Sequence, residues 1–197
     1  MNLPLQLRFK IVSFSSKIEV TDADGELVCF VKKKKFKFKE HVVVYADQDM
    51  KQPLYEIKAD SIMDFSATYQ FTTQDGSVLG SVARKGMRSL WRAHYLILLP
   101  DGSTQLEIRE RNAWTKVLDS VLADIPIVGL FSGYFFNPSY RVLLGEEEDR
   151  YELFKQPAMW EGVYSLERKE GVPADDEGEK RVLLSLLMMI LLERYRG

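Results

Sequence analysis

Leu5, Leu7, Phe9 and Ile11 alternate with Gln6, Arg8 and Lys10 near the start of the chain. A period of two sends the apolar set to one face of an extended strand and the polar set to the other. Further strand-like stretches stand at 18–20, 27–31, 42–45, 54–59, 69–72, 78–84, 95–99, 106–109, 140–144, 151–154 and 163–168. Asp24-Gly25, Asp75-Gly76 and Asp101-Gly102 each lie between two apolar stretches, and Asp-Gly favours a tight hairpin. The pattern predicts about twelve strands and no second core. A sheet of that size tends to curl or close, and a closed sheet can wrap something in its lumen.

Near the C-terminus the pattern changes. Val182 to Leu192 are eleven residues with only Ser185 interrupting the apolar run. A bilayer core of roughly 30 Å needs about 20 apolar residues, whereas eleven helical residues reach only about 16 Å. Glu179, Lys180, Arg181, Glu193, Arg194 and Arg196 crowd both ends of the run. Asp175, Asp176 and Glu177 suit the positive end of a helix, and Arg194 and Arg196 the negative end. A helix apolar on every side has to be enclosed on every side. The expectation is a buried central helix over 174–196 that fills the barrel, with a marginal or tail-type membrane insertion as the alternative.

An internal repeat supports duplication of a strand–turn–strand block. A shift of 51 residues places Asp24-Gly25 on Asp75-Gly76, Lys33-Lys34 on Arg84-Lys85 and Val44 on Tyr95. It also places Glu56-Ile57-Lys58 on Glu107-Ile108-Arg109, with no insertion needed to keep the register. One segment departs from the β pattern. Trp114, Val117, Leu118, Val121, Leu122 and Ile125 follow helical spacing, with Asn112 as a cap and Pro126 as a stop. This predicts a short amphipathic helix at about 113–124. The uncharged aromatic stretch from Ile127 to Tyr140 reads either as a buried strand or plug, or as a loop that dips into a lipid surface.

The fold class expected is mainly β: a closed barrel of about twelve strands around a hydrophobic C-terminal helix, in one domain over 1–197. At 197 residues the chain suits one substantial core. The formal charge of -2 gives no global attraction to nucleic acid or acidic membranes, so binding of that kind requires a local patch. Cys29 is the single cysteine, which suits a reducing cytoplasm. The opening residues alternate instead of forming a signal peptide.

Enzyme signatures fail. "GLFSG" has the wrong spacing for a nucleophile elbow, and "GSVLGS" lacks the Lys-Ser/Thr of a phosphate loop. His41 and His94 match no metal spacing. Asp22, Asp24 and Glu26 resemble the start of a calcium loop, but Leu27 and Lys33 stand where Gly and Glu are needed. No metal, cofactor or catalytic group is expected.

The strand blocks with Asp-Gly turns and basic runs, "GYFFNPSY" and the terminal "LLSLLMMILLERYRG" resemble the LURP-one-related proteins of the tubby C-terminal and phospholipid scramblase superfamily. The resemblance covers essentially the whole chain and is most specific in the C-terminal helix. It implies a twelve-stranded closed barrel around that helix, and roles at membranes. Tubby domains hold phosphoinositide headgroups in a basic site, and scramblases are linked to calcium and lipids. The calcium link does not carry over, since no acidic segment here matches.

The remaining feature is "KKKKFKFK", Lys32 to Lys39. On an extended strand Phe36 and Phe38 share one face and Lys35, Lys37 and Lys39 the other. The repeat adds Arg84, Lys85 and Arg88 at equivalent positions. An anion-binding site is therefore expected from Lys32, Lys33, Lys34, Lys35, Lys37, Arg84, Lys85 and Arg88. Its partner would be an anionic phospholipid or a phosphorylated small molecule, without specific nucleic acid and without a transmembrane span. The plainer use of such lysines is to keep an edge strand soluble. The competing function is a scaffold docking a partner through Leu130, Phe131, Tyr134, Phe135 and Phe136. The location expected is cytoplasmic, peripheral at a membrane where the lysines bind lipid; the oligomeric state is left open.

Overall fold

The computed structural model describes residues 1–12, 15–34, 41–59, 67–85, 93–111, 139–156 and 162–194. Twelve strands stand in chain order: β1 (Leu5–Val12), β2 (Ser15–Thr21), β3 (Leu27–Lys34), β4 (His41–Tyr45), β5 (Pro53–Ala59), β6 (Thr68–Thr73), β7 (Val78–Arg84), β8 (His94–Leu98), β9 (Thr104–Glu110), β10 (Ser139–Leu144), β11 (Glu148–Gln156) and β12 (Gly162–Arg168). One helix, α1 (Asp176–Arg194), follows them. Each strand pairs antiparallel with its chain neighbour, and β1 pairs with β12, from Leu5↔Leu166 to Phe9↔Gly162, to close the barrel. Closure leaves the sheet without edges.

Alternation sets what faces inward. Leu5, Leu7, Phe9, Ile18, Val20, Ile57, Phe71, Val82 and Ile108 are buried, while Gln6, Arg8, Lys17, Glu19 and Lys58 alternate with them. The lumen is filled by α1, where every residue from Arg181 to Leu191 is buried. Burying each Leu, Ile or Met there stabilises by roughly 1.5–3 kcal/mol relative to exposure. That answers why an all-round apolar helix is tolerated: the strands take the place of a bilayer. Among the described residues no helix is long and apolar enough to cross a membrane.

The hairpins occur where Asp-Gly predicts them, but the turn is larger than a two-residue one. Gly25 N donates to Asp22 O at 3.0 Å, Gly76 N to Thr73 O at 3.0 Å, and Gly102 N to Leu99 O at 2.9 Å. These three glycines have φ of 83°, 85° and 84°, as the fourth residue of a turn that opens into a bulge demands. The ladder slips just beyond, between Val20 and Thr21, Phe71 and Thr72, and Ile97 and Leu98.

The repeat is visible in the ladder itself. Ile18↔Val31 and Val20↔Cys29 recur as Tyr69↔Val82 and Phe71↔Gly80, each displaced by 51 positions. In one place the shift differs from the sequence expectation. Val31 pairs with Val44, but Val82 pairs with Ile97 instead of Tyr95, so β8 sits two residues late. The expected helix at about 113–124 and the aromatic stretch up to 138 lie outside the described residues.

Polar groups hold both ends of α1. At the N-terminal end Asp175 caps the helix, its Oδ1 accepting from Gly178 N at 3.1 Å. Glu179 is 3% exposed and accepts from Arg168 Nη1 at 2.6 Å. Arg181 donates from Nε to Gln105 Oε1 at 2.9 Å and from Nη1 to Leu79 O at 3.3 Å and to Glu177. At the other end Tyr95 Oη donates to Glu193 Oε1 at 2.7 Å. The helix runs nearest to β6, β7 and β8.

Candidate functional site

The strand register assembles lysines from three strands. Lys10 on β1 is opposite Lys17 on β2, and Lys17 is opposite Lys32 on β3. Neighbouring strands are about 4.8 Å apart, so the three positions span about 10 Å across the wall. Ile18 and Val20 fill the lumen from β2, which leaves Lys17 on the outer face; Val31 does the same for Lys32. Neither Lys17 nor Lys32 has a hydrogen-bond or ion-pair partner among the described residues. Like charges directly opposite on a sheet destabilise it. The pair Lys17 and Lys32 therefore sets like charges opposite each other on the outer face. The next residues of β3, Lys33 and Lys34, pair with Ser16 and Ser15 and lead to the end of the strand.

The second basic cluster behaves differently. Arg84 departs from the expected outward row. It shares the lumen-facing parity of Gly80 and Val82, is 12% exposed, approaches Glu193 at 3.8 Å, and lies 5.8 Å from the centre of the Tyr95 ring. Burial pushes the Tyr95 hydroxyl up, and the neighbouring Glu193 carboxylate adds to the rise. Arg84 thus belongs to the anchoring of α1. Lys85 is on the outside, but its Nζ bonds Glu107 Oε1 at 3.3 Å. In the barrel β4, β5 and β6 stand between β3 and β7. The two clusters that the repeat relates do not come together on the wall.

Outside β8 and β9 the carboxylate of Glu107 gathers three basic side chains. It accepts from His94 Nε2 at 2.9 Å and from Arg109 Nη2 at 2.8 Å, besides Lys85. Burial pushes this carboxyl up, and the bonds from Arg109, His94 and Lys85 outweigh it, holding it down to about 2. The same arrangement occurs on β4 and β5, where Glu56 meets Lys58 and His41, the latter at 3.3 Å. Both histidines expected on strands are there, each satisfied by a carboxylate. Among the described residues no three His, Cys, Asp or Glu side chains could hold a metal ion.

Lys35, Lys37 and Arg88 lie outside the described residues, as do Leu130, Phe131, Tyr134, Phe135 and Phe136.

A family model described as LURP-one-related matches residues 4–116. The chain belongs to the LURP-one-related family. The match covers β1 to β9, including the duplicated block and the lysine rung. No curated protein matches the chain. A crystal structure of a protein from Arabidopsis thaliana is similar at 15% identity, covering 95% of this chain and 91% of that one, with a TM-score of 0.48. In this LURP-one-related barrel, then, the lysines that sequence reasoning missed are Lys10 and Lys17. A signal for them existed: they are equidistant from the β1–β2 turn, so a hairpin folded there brings them opposite each other.

Proposed function

We propose that this LURP-one-related chain is a non-enzymatic barrel that binds an anionic ligand on the outer face of β1–β3. The ligand is an anionic phospholipid headgroup or another phosphorylated molecule. The observation that carries the reading is the rung Lys10–Lys17–Lys32, continuous in sequence with Lys33, Lys34, Lys35 and Lys37. Each lysine near an anionic membrane contributes about 1 kcal/mol. Cys29 is a free, buried thiol, which suits a cytoplasmic protein working at the inner surface of a membrane.

Co-sedimentation with vesicles tests this. Wild type should pellet with vesicles containing anionic lipid and not with purely zwitterionic ones, and the bound fraction should fall as salt is raised. Free polyphosphate should compete if the phosphate itself is recognised. Lys17→Ser with Lys32→Ser, alone and together with Lys33, Lys35 and Lys37 changed to Ser, should remove binding while leaving the melting curve nearly unchanged. Wild type with no salt-sensitive affinity for any anionic surface would show that the lysines serve solubility.

A further inference from the structure

The helix does not fill the lumen evenly. On the β7 side it seats closely: a Cβ on Gly80 would stand 2.8 Å from Arg181 Cδ, so the missing side chain is what lets the helix approach. Cys29 occupies the equivalent position of the first repeat, opposite Val20 as Gly80 is opposite Phe71. There the helix stands away from the wall. A cavity of about 200 Å³ remains between the first turns of α1 and strands β3, β4 and β5. Among the described residues, Phe30↔Tyr45 and Val31↔Val44 pair β3 with β4, and four pairs join β7 to β8.

The lining is apolar inside and polar at the mouth. Val28, Cys29, Val44, Leu54, Leu183 and Leu184 form the interior, and Tyr55, Asp176 and Lys180 stand around it with Met1. Asp176 and Lys180 are exposed, one turn apart. Protein interiors are close-packed, with few voids larger than a water molecule. An apolar cavity of roughly 150 Å³ stays dry and accepts benzene. The polar groups stand at the mouth, so water has partners there, whereas the inner end between Cys29, Val44, Leu183 and Leu184 offers mainly apolar surface.

We infer that this cavity is a binding site for a small apolar molecule of about benzene to indole size, whose polar end, if it has one, rests at the mouth beside Asp176 and Lys180. The site is separate from the lysine face and independent of it. Cys29 forms part of its inner surface, and burial pushes that thiol up to about 12, so the ligand meets a neutral sulfhydryl.

Indole is the probe. Added at rising millimolar concentration to the full chain, it should raise the melting temperature progressively, because it binds the native state only. It should also shift the methyl resonances of Val44, Leu183 and Leu184 and spare those of Leu143 and Leu153 across the barrel. Val44→Phe fills the cavity from its inner wall and should abolish both effects. Leu54→Trp, nearer the mouth, is the second filling variant should Val44→Phe fail to fold. No stabilisation and no methyl shifts in wild type up to the solubility of indole overturns the site. Equal effects in a folded filling variant overturn it as well, by showing that indole acts elsewhere.

Discussion

Gly80→Ala is the sharpest test of how the helix sits in the barrel. At φ of 147° Gly80 occupies backbone space that L side chains rarely adopt. Forcing Ala there costs on the order of 1–3 kcal/mol. The new Cβ would also stand 2.5 Å from Leu98 O and 2.8 Å from Arg181 Cδ. The arginine stem can bend, but the carbonyl is held in the β7–β8 ladder. Crowding of that kind adds about 1–3 kcal/mol, for a total of about 2–6 kcal/mol. Gly76→Ala is the control. Its φ is 85° and nothing lies within 4 Å, so only the backbone strain of about 1–2 kcal/mol applies. For a chain of this size each kcal/mol moves the melting temperature by about 2–4 °C. The strain is common to both variants, so the crowding of about 1–3 kcal/mol should place Gly80→Ala roughly 2–12 °C below Gly76→Ala in calorimetry or urea titration. Adding Arg181→Ala should recover little, because the carbonyl contact remains. Equal melting of the two glycine variants would refute the close seating of α1 against β7. Strong rescue by Arg181→Ala would mean that the helix, and not the strand, is the obstacle.

Ser185 is fully buried and its hydroxyl has no partner among the described residues, so Ser185→Ala should be neutral or stabilise by up to about 1 kcal/mol in urea titration; a clear loss would reveal a partner. Leu187→Asp places an uncompensated charge in the lumen at a cost of several kcal/mol, and it should abolish cooperative melting, as should truncation after Gly178. A truncated barrel with native-like circular dichroism would contradict the filling role of α1. The folded Glu107 carboxyl titrates near 2 against an ordinary 4.5, so its stabilisation is complete above about 4.5 and fades as pH falls toward 2. Glu107→Gln should flatten that acid limb of the stability curve, and an unchanged limb would show that the cation cluster is not coupled to folding.

The barrel was legible because its signals are local. Short apolar stretches, alternating most clearly in β1, mark the strands, and a run apolar on every side can be only a span or a filling, with its eleven residues deciding between them. The parts that escaped depend on register. Lys10, Lys17 and Lys32 meet only after two hairpins are folded, so "KKKKFKFK" drew attention while two isolated lysines did not. Arg84 aligns with Lys33 in the 51-residue repeat, which sets it among the outward cations. Its parity with Gly80 and Val82 was there to be read, and it points to the lumen. The two-residue delay of β8 shows only in the register, Val82↔Ile97, because a shift of 51 alone predicts Tyr95 there. The off-centre seat of α1 is least visible, since it follows from the absence of a side chain at Gly80 and the presence of one at Cys29.

Because α1 follows every strand in chain order, the ribosome delivers the container before its contents. β1 finds its partner β12 across some 160 positions, from Leu5 to Leu166, and Tyr95 waits 98 positions for Glu193. Until then about a dozen strands present their inward apolar sides to water, with neither closure nor filling to cover them. Contacts this distant in sequence form slowly and leave the nascent chain prone to aggregation. The molecule can thus close and fill its barrel only after nearly all of the described chain has been made.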